Sequence, residues 1–122
     1  MNNRLEHALN CEVQDQVPFL PAIYEHKAWF VGATPSQVAR NADLLTSALL
    51  AEYESVQSDA LIVGIDVYNV EAEAIGCSVN YYDGNDNSVP AIGSKGAVFQ
   101  GTEGVASLRM PDPQKDGRMP LN

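Results

Sequence analysis

The chain has 122 residues, 45% hydrophobic and 19% charged, which suits one globular unit with a modest core and leaves little room for a second. Sixteen acidic residues against seven lysines and arginines give a formal charge of −9. That balance argues against a nucleic-acid backbone or an anionic membrane surface as partner, since both need clustered cations.

Arg4 to Leu9 predicts a short amphipathic helix with Leu5, Ala8 and Leu9 on one side. Residues 17–23, Val17-Pro18-Phe19-Leu20-Pro21-Ala22-Ile23, read as a short buried strand with its prolines toward the ends. Thr34-Pro35-Ser36-Gln37 predicts a capping box: a capping Thr, Pro at the first helical position, and Gln at the third. Apolar positions Val38, Ala42, Leu45, Leu49, Tyr53 and Val56 then recur every three or four residues, so one helix is expected over 35–56.

Residues 59–66 end in Leu61-Ile62-Val63-Gly64-Ile65-Asp66, an apolar run without alternation, as in a parallel strand covered on both faces. Val70 to Ile75 predicts a helical turn closed by Gly76, and residues 78–82 alternate like a strand before the turn at Asp83-Gly84-Asn85-Asp86. From 87 to 122 the pattern is rich in loops, ending in a polar, proline-rich connection. Helix, tight turn, then buried strand is the grammar of a β/α repeat. Two or three parallel strands with one long helix leave open edges, and a (β/α)8 barrel needs about 250 residues. The expected fold class is therefore α/β: the N-terminal portion of a (β/α)8 TIM-type barrel, one partial-barrel domain over 1–122 and incomplete as a single chain. Either a missing C-terminal barrel portion or further copies of the chain, as a homo-oligomer, would cover the exposed faces.

Asp66 ends an apolar strand, at the end that faces the site in parallel α/β architectures. Against Ile65 and Val67, a carboxylate there has two readings: a functional group with a raised pKa or a hold on a cation, or a cap on the following turn. Tyr24, Glu25, His26 and Lys27 follow the first expected strand and would share that mouth, as acid, base or anion contacts. The plainer alternative is a solvated turn leading into the apolar patch Ala28-Trp29-Phe30-Val31. Glu71 and Glu73 are too close in sequence to face each other on a helix. His7, Cys11, His26 and Cys77 are too dispersed for a zinc motif, so no metal ligand is assigned. Gly93-Ser94-Lys95-Gly96 resembles a phosphate loop only superficially, without the expected preceding strand and spacing. No stretch reaches the length of a membrane span, and the N-terminus has no apolar signal core. With two thiols read as reduced, a cytoplasmic location is expected.

Residues 59–67, continuing through Val70-Glu71-Ala72-Glu73-Ala74-Ile75-Gly76-Cys77-Ser78-Val79, resemble the uroporphyrinogen decarboxylase superfamily, which includes the corrinoid-linked cobalamin methyltransferases. The likeness extends back through Val17-Pro18-Phe19 and Thr34-Pro35, and forward to Pro111-Asp112-Pro113 and Lys115-Asp116-Gly117-Arg118-Met119-Pro120. It spans nearly the whole chain but only about the first third of a family member.

In the decarboxylases the resemblance implies that Asp66 is the aspartate holding the pyrrole N–H groups of a tetrapyrrole and stabilising positive charge as carbon dioxide leaves. Those enzymes carry an Arg-Gln-Ala-Gly-Arg segment after the first strand. Here Pro21 to Lys27 holds no arginine, and a lysine does not reproduce that bidentate fork. The Val70 to Gly76 run is closer to the methyltransferase branch, whose members bind zinc late in the chain. No cofactor is assignable from these residues; corrinoid and zinc belong to the complete family member.

The resemblance thus implies the N-terminal segment of a uroporphyrinogen decarboxylase-like lyase or cobalamin-dependent methyltransferase, acting on a tetrapyrrole or corrinoid-linked methyl group and inactive alone. The alternatives are a non-catalytic, self-associating remnant and a small-molecule binding module.

Overall fold

Among the described residues two helix starts carry a capping side chain, Thr34 and Asn41. In the computed structural model, which describes residues 4–66, 69–99, 101–102 and 104–121, α1 spans Arg4–Leu9. A single 3-10 turn over Tyr24–His26 runs directly into α2, Lys27–Phe30. The predicted capping box is present at α3, Pro35–Val38: the Gln37 amide donates to the Thr34 hydroxyl at 3.3 Å, and the Thr34 amide donates to Gln37 Oε1 at 2.9 Å.

The helix expected over 35–56 is instead two helices. Asn41 adopts an extended backbone (φ −142°, ψ 108°), and its side chain accepts from the Leu44 amide at 3.0 Å, opening α4 at Ala42–Val56. A side-chain acceptor at that point satisfies a free helix N–H and favours a fresh start over a continuous helix. Gln57 closes α4 in the left-handed region at φ 53°.

The core is small: Ala28, Val38, Ala39, Leu45, Ala48 and Ile65, with Val31, Ala33, Leu44 and Leu49 packed against it. It lies where α2 and α3 meet α4. One turn beyond Ala48, Glu52 is 1% exposed and sits 3.8 Å from Lys27 Nζ, itself fully buried. The helical period explains the apolar positions and not this buried pair.

The strands expected over 17–23 and 59–66 are a correction: neither segment is a strand. A strand persists by pairing with a neighbour, and several groups here are spoken for otherwise. Pro18 and Pro21 carry no N–H. The Ile62 and Gly64 carbonyls accept from Lys27 Nζ at 2.8 and 2.9 Å, so an ammonium stands where a neighbouring strand would donate. The two segments are joined by the Asp59 amide donating to the Phe19 carbonyl at 2.9 Å and the Phe19 amide to Asp59 Oδ2 at 2.7 Å. Val63 stays exposed while Gly64, Ile65 and Asp66 are buried, so burial on both faces holds only at the end of the run.

After α5, Val70–Ala74, Gly76 turns the chain at φ +101°. The strand expected over 78–82 is shorter: β1, Val79–Asn80, pairs antiparallel with β2, Ala91–Ile92, in the register Val79 to Ile92 and Asn80 to Ala91. Among the described residues this hairpin is the whole of the sheet, with no parallel ladder. A 3-10 turn at Val105–Ser107 and another at Met119–Leu121 follow, the latter against α5. No helix among the described residues is long and apolar enough to cross a membrane.

Candidate functional site

Asp66 has its backbone at φ 59°, in the left-handed region that Asp and Asn enter more readily than most residues. Its side chain is 1% exposed and does not open onto a cleft. One carboxylate oxygen accepts from the Asn69 side-chain amide, and Oδ2 accepts from Arg118 Nη2 at 2.8 Å. The Asn69 amide also donates to the Pro90 carbonyl at 2.8 Å, which ties Asp66 to the base of β2. The following turn is closed by the backbone, the Asn69 amide donating to the Asp66 carbonyl at 3.2 Å, while the carboxylate itself bonds to the side chains of Asn69 and Arg118. Val67, expected to flank it, lies outside the described residues.

Arg118 joins this cluster from 52 residues away in sequence. Each arm of its guanidinium has a partner: Asp66, Glu73 Oε2 at 2.6 Å and the Ala39 carbonyl at 3.1 Å. Tyr81 completes the assembly, donating to Glu73 Oε1 at 3.0 Å while its ring packs beneath Arg118 and Arg40 at 5.1 and 4.7 Å. Two carboxylates share one guanidinium in a mostly water-excluded setting. Burial pushes the Asp66 carboxyl above its usual range, against the pull of Asn69 and Arg118. Burial also raises the Tyr81 phenol, and Glu73 adds to that; burial works against the Arg118 charge, but its carboxylate partners prevail and raise it.

The loop residues separate. Glu25 and His26 line a cleft of about 630 Å3, with Trp29, Thr34, Asn85 and Asn87. The His26 ring stacks on Trp29 with centroids 6.1 Å apart, and Trp29 is 72% exposed. Tyr24 is partly exposed at φ 45° and does not line that cleft. Lys27 turns inward to Ile62, Gly64 and Glu52, and burial lowers its pKa against the pull of Glu52 and Glu25. Asp66 is likewise absent from the cleft wall, but the Glu25 charge reaches it and adds to its upward shift.

Sequence reasoning missed Arg118, Asn69, Tyr81 and Glu52. Arg118 had one signal, the Lys115-Asp116-Gly117-Arg118-Met119-Pro120 run, and a role for its arginine was not drawn from it. Gly117 explains the close approach: at φ +56°, a Cβ there would meet the Ala74 backbone nitrogen at 2.9 Å. Among the described residues no three His, Cys, Asp or Glu side chains gather as a metal site. Cys11 and Cys77 are free thiols.

The family model for uroporphyrinogen decarboxylase (URO-D) matches residues 1–121. A solved methyltransferase from Methanosarcina mazei is similar at 27% sequence identity with a TM-score of 0.70, over 97% of this chain and 34% of that one. The chain thus spans about a third of the methyltransferase's length. No curated protein matches. Family and neighbour together imply a TIM-barrel-type fold; the described residues form a small α/β unit.

Proposed function

The chain belongs to the uroporphyrinogen decarboxylase (URO-D) family, corresponding to the N-terminal part of its members, and on that premise we propose that it supplies the first β/α units of a barrel acting on a tetrapyrrole or a corrinoid-linked methyl group, without catalytic activity of its own. The observation that carries this reading is Asp66, a buried carboxylate at the end of the second expected strand, fixed by Asn69 and Arg118. A carboxylate held in this way would suit a ligand that presents N–H groups or a developing positive charge, once a shift of its Asn69 and Arg118 partners opens it to that ligand. Glu25 and His26, in a cleft whose wall does not include Asp66, fit the roles of ligand contact and proton exchange. A methyl-transferring member is favoured over a decarboxylase by the lack of arginine between Pro21 and Lys27 and by the similarity to a methyltransferase.

The test is a titration of the full chain with hydroxocobalamin and, separately, with a uroporphyrin, followed by visible absorbance. A saturable spectral change that Asp66→Asn weakens supports the reading. No change with either compound, or equal binding by Asp66→Asn, refutes it.

One observation favours a second reading, self-association. Val17, Phe19, Leu20 and Val63 are exposed on the two segments that lack strand partners. Apolar surface of that kind is commonly buried against another chain. Sedimentation at micromolar concentration decides: dimers or larger species support it, and a stable monomer removes it.

A further inference from the structure

Charge accounting across the chain isolates one cation. Six of the seven lysines and arginines contact carboxylates: Arg4 with Asp59 at 2.9 Å, Lys27 with Glu52 at 3.8 Å, Arg40 with Asp83 at 2.6 Å, Arg109 with Asp116 at 2.7 Å, Lys115 with Asp112 at 3.2 Å, and Arg118 with Asp66 at 2.8 Å. The seventh, Lys95, has no ion pair among the described residues, in a chain with 16 acidic residues to offer. Lys95 also lines a second pocket, of about 310 Å3, on the β1–β2 hairpin.

The rest of that pocket is Ser78, Asn80, Gly93, Ser94 and Gly96. The side chains of Ser78, Asn80, Ser94 and Lys95 can all donate hydrogen bonds, and none is acidic or apolar. The turn is closed by the Gly96 amide on the Gly93 carbonyl at 2.8 Å and the Ser78 amide on the Gly96 carbonyl at 2.9 Å. Among the described residues no backbone carbonyl takes the Ser94 or Lys95 amide. Space is tight enough that a Cβ on Gly96 would stand 2.5 Å from the Ser78 carbonyl oxygen, and one on Gly93 3.0 Å from Asn80 Nδ2. β2, within the short extended piece that the sequence suggests over Val89 to Ile92, stands immediately before Gly93.

We propose that this hairpin pocket binds a small oxyanion, the carboxylate or phosphate group of a ligand, with Lys95 as its counter-charge and Ser78, Asn80 and Ser94 as donors. A charge-assisted bond from an otherwise unpaired ammonium is the strongest single contact such a pocket can make. The inference does not depend on the role of Asp66.

The test is an NMR titration of the full, 15N-labelled chain at constant ionic strength, set with chloride, using inorganic phosphate and, separately, acetate. Saturable shifts are expected at the Ser78, Asn80, Ser94, Lys95 and Gly96 amides with at least one of the two, and whichever saturates identifies the group. Lys95→Gln is expected to weaken binding about tenfold, with the remaining spectrum unchanged. Absence of saturation with both anions overturns the proposal. So do shifts that persist in Lys95→Gln, or that spread equally to Arg109 and Lys115, which mark general ion atmosphere.

Discussion

Replacing Arg118 with methionine keeps much of the side-chain volume and removes the charge that joins three parts of the molecule. Asp66, 1% exposed, would retain only Asn69 as a donor; Glu73 would lose a 2.6 Å bond, and the Ala39 carbonyl its donor. Removing one partner of a buried pair costs about 3–5 kcal/mol, because the other charge is left uncompensated. At roughly 3–6 °C per kcal/mol for a chain of this size, the midpoint of thermal unfolding should fall by about 9–30 °C. Urea denaturation followed by circular dichroism gives the free energy directly.

The double variant Arg118→Met, Asp66→Asn removes the orphaned charge and should recover about 1 kcal/mol or more relative to Arg118→Met alone. The pH dependence has a definite sign. Asp66 titrates above its ordinary value of 3.8 when folded, so its contribution to stability is present below that value and is lost as pH rises through the folded pKa. Without Arg118 the shift is larger, and the penalty should be smallest near pH 4 and grow toward neutrality. A loss under about 1 kcal/mol at neutral pH, or no recovery in the double variant, refutes the assignment of Arg118 as the clamp on Asp66.

Two further substitutions probe the scaffold. Lys27→Met leaves Glu52 without its counter-charge and the Ile62 and Gly64 carbonyls without their donor; it should cost about 3–5 kcal/mol in urea unfolding, most of it recovered in Lys27→Met, Glu52→Leu. In the native chain the depressed Lys27 pKa makes its contribution complete above its ordinary value of 10.5 and smaller as pH falls, which a stability profile run downward from that value would register. Asn41→Ala removes the α4 cap and should cost about 1 kcal/mol; a change near zero would mean that α3 and α4 fuse without penalty.

Local chemistry was legible in the residues, and long-range pairing was not. Thr34 and Gln37 sit three apart, the spacing their reciprocal bonds require, so that helix start could be read directly. Asn41 carried the same kind of signal, an amide acceptor with Asp43 in the first turn, yet the continuing apolar period overrode it. The segments around Phe19 and Ile62 have the composition of buried strands. Composition does not say what each carbonyl bonds to, and Lys27 takes two of them. Asp66 was singled out by its place at the end of an apolar run. What holds it comes from Arg118, a residue 52 positions away whose partners no periodicity reports. Glu25 and His26 share a cleft because the 3-10 turn at Tyr24–His26 presents them outward, while Lys27, next along, opens α2 and faces the core.

The account rests on Asp66 being a buried carboxylate held ready beside Arg118, and the most direct measurement is a carboxyl 13C NMR titration of the folded chain, with the Asp66 resonance assigned by its loss in Asp66→Asn. Asp66 should titrate above 3.8, in contrast to Asp86 and Asp116, which the Ser88 hydrogen bonds and the Asp112 amide respectively hold below it. An Asp66 resonance titrating together with those surface aspartates, below the ordinary value, would contradict the account.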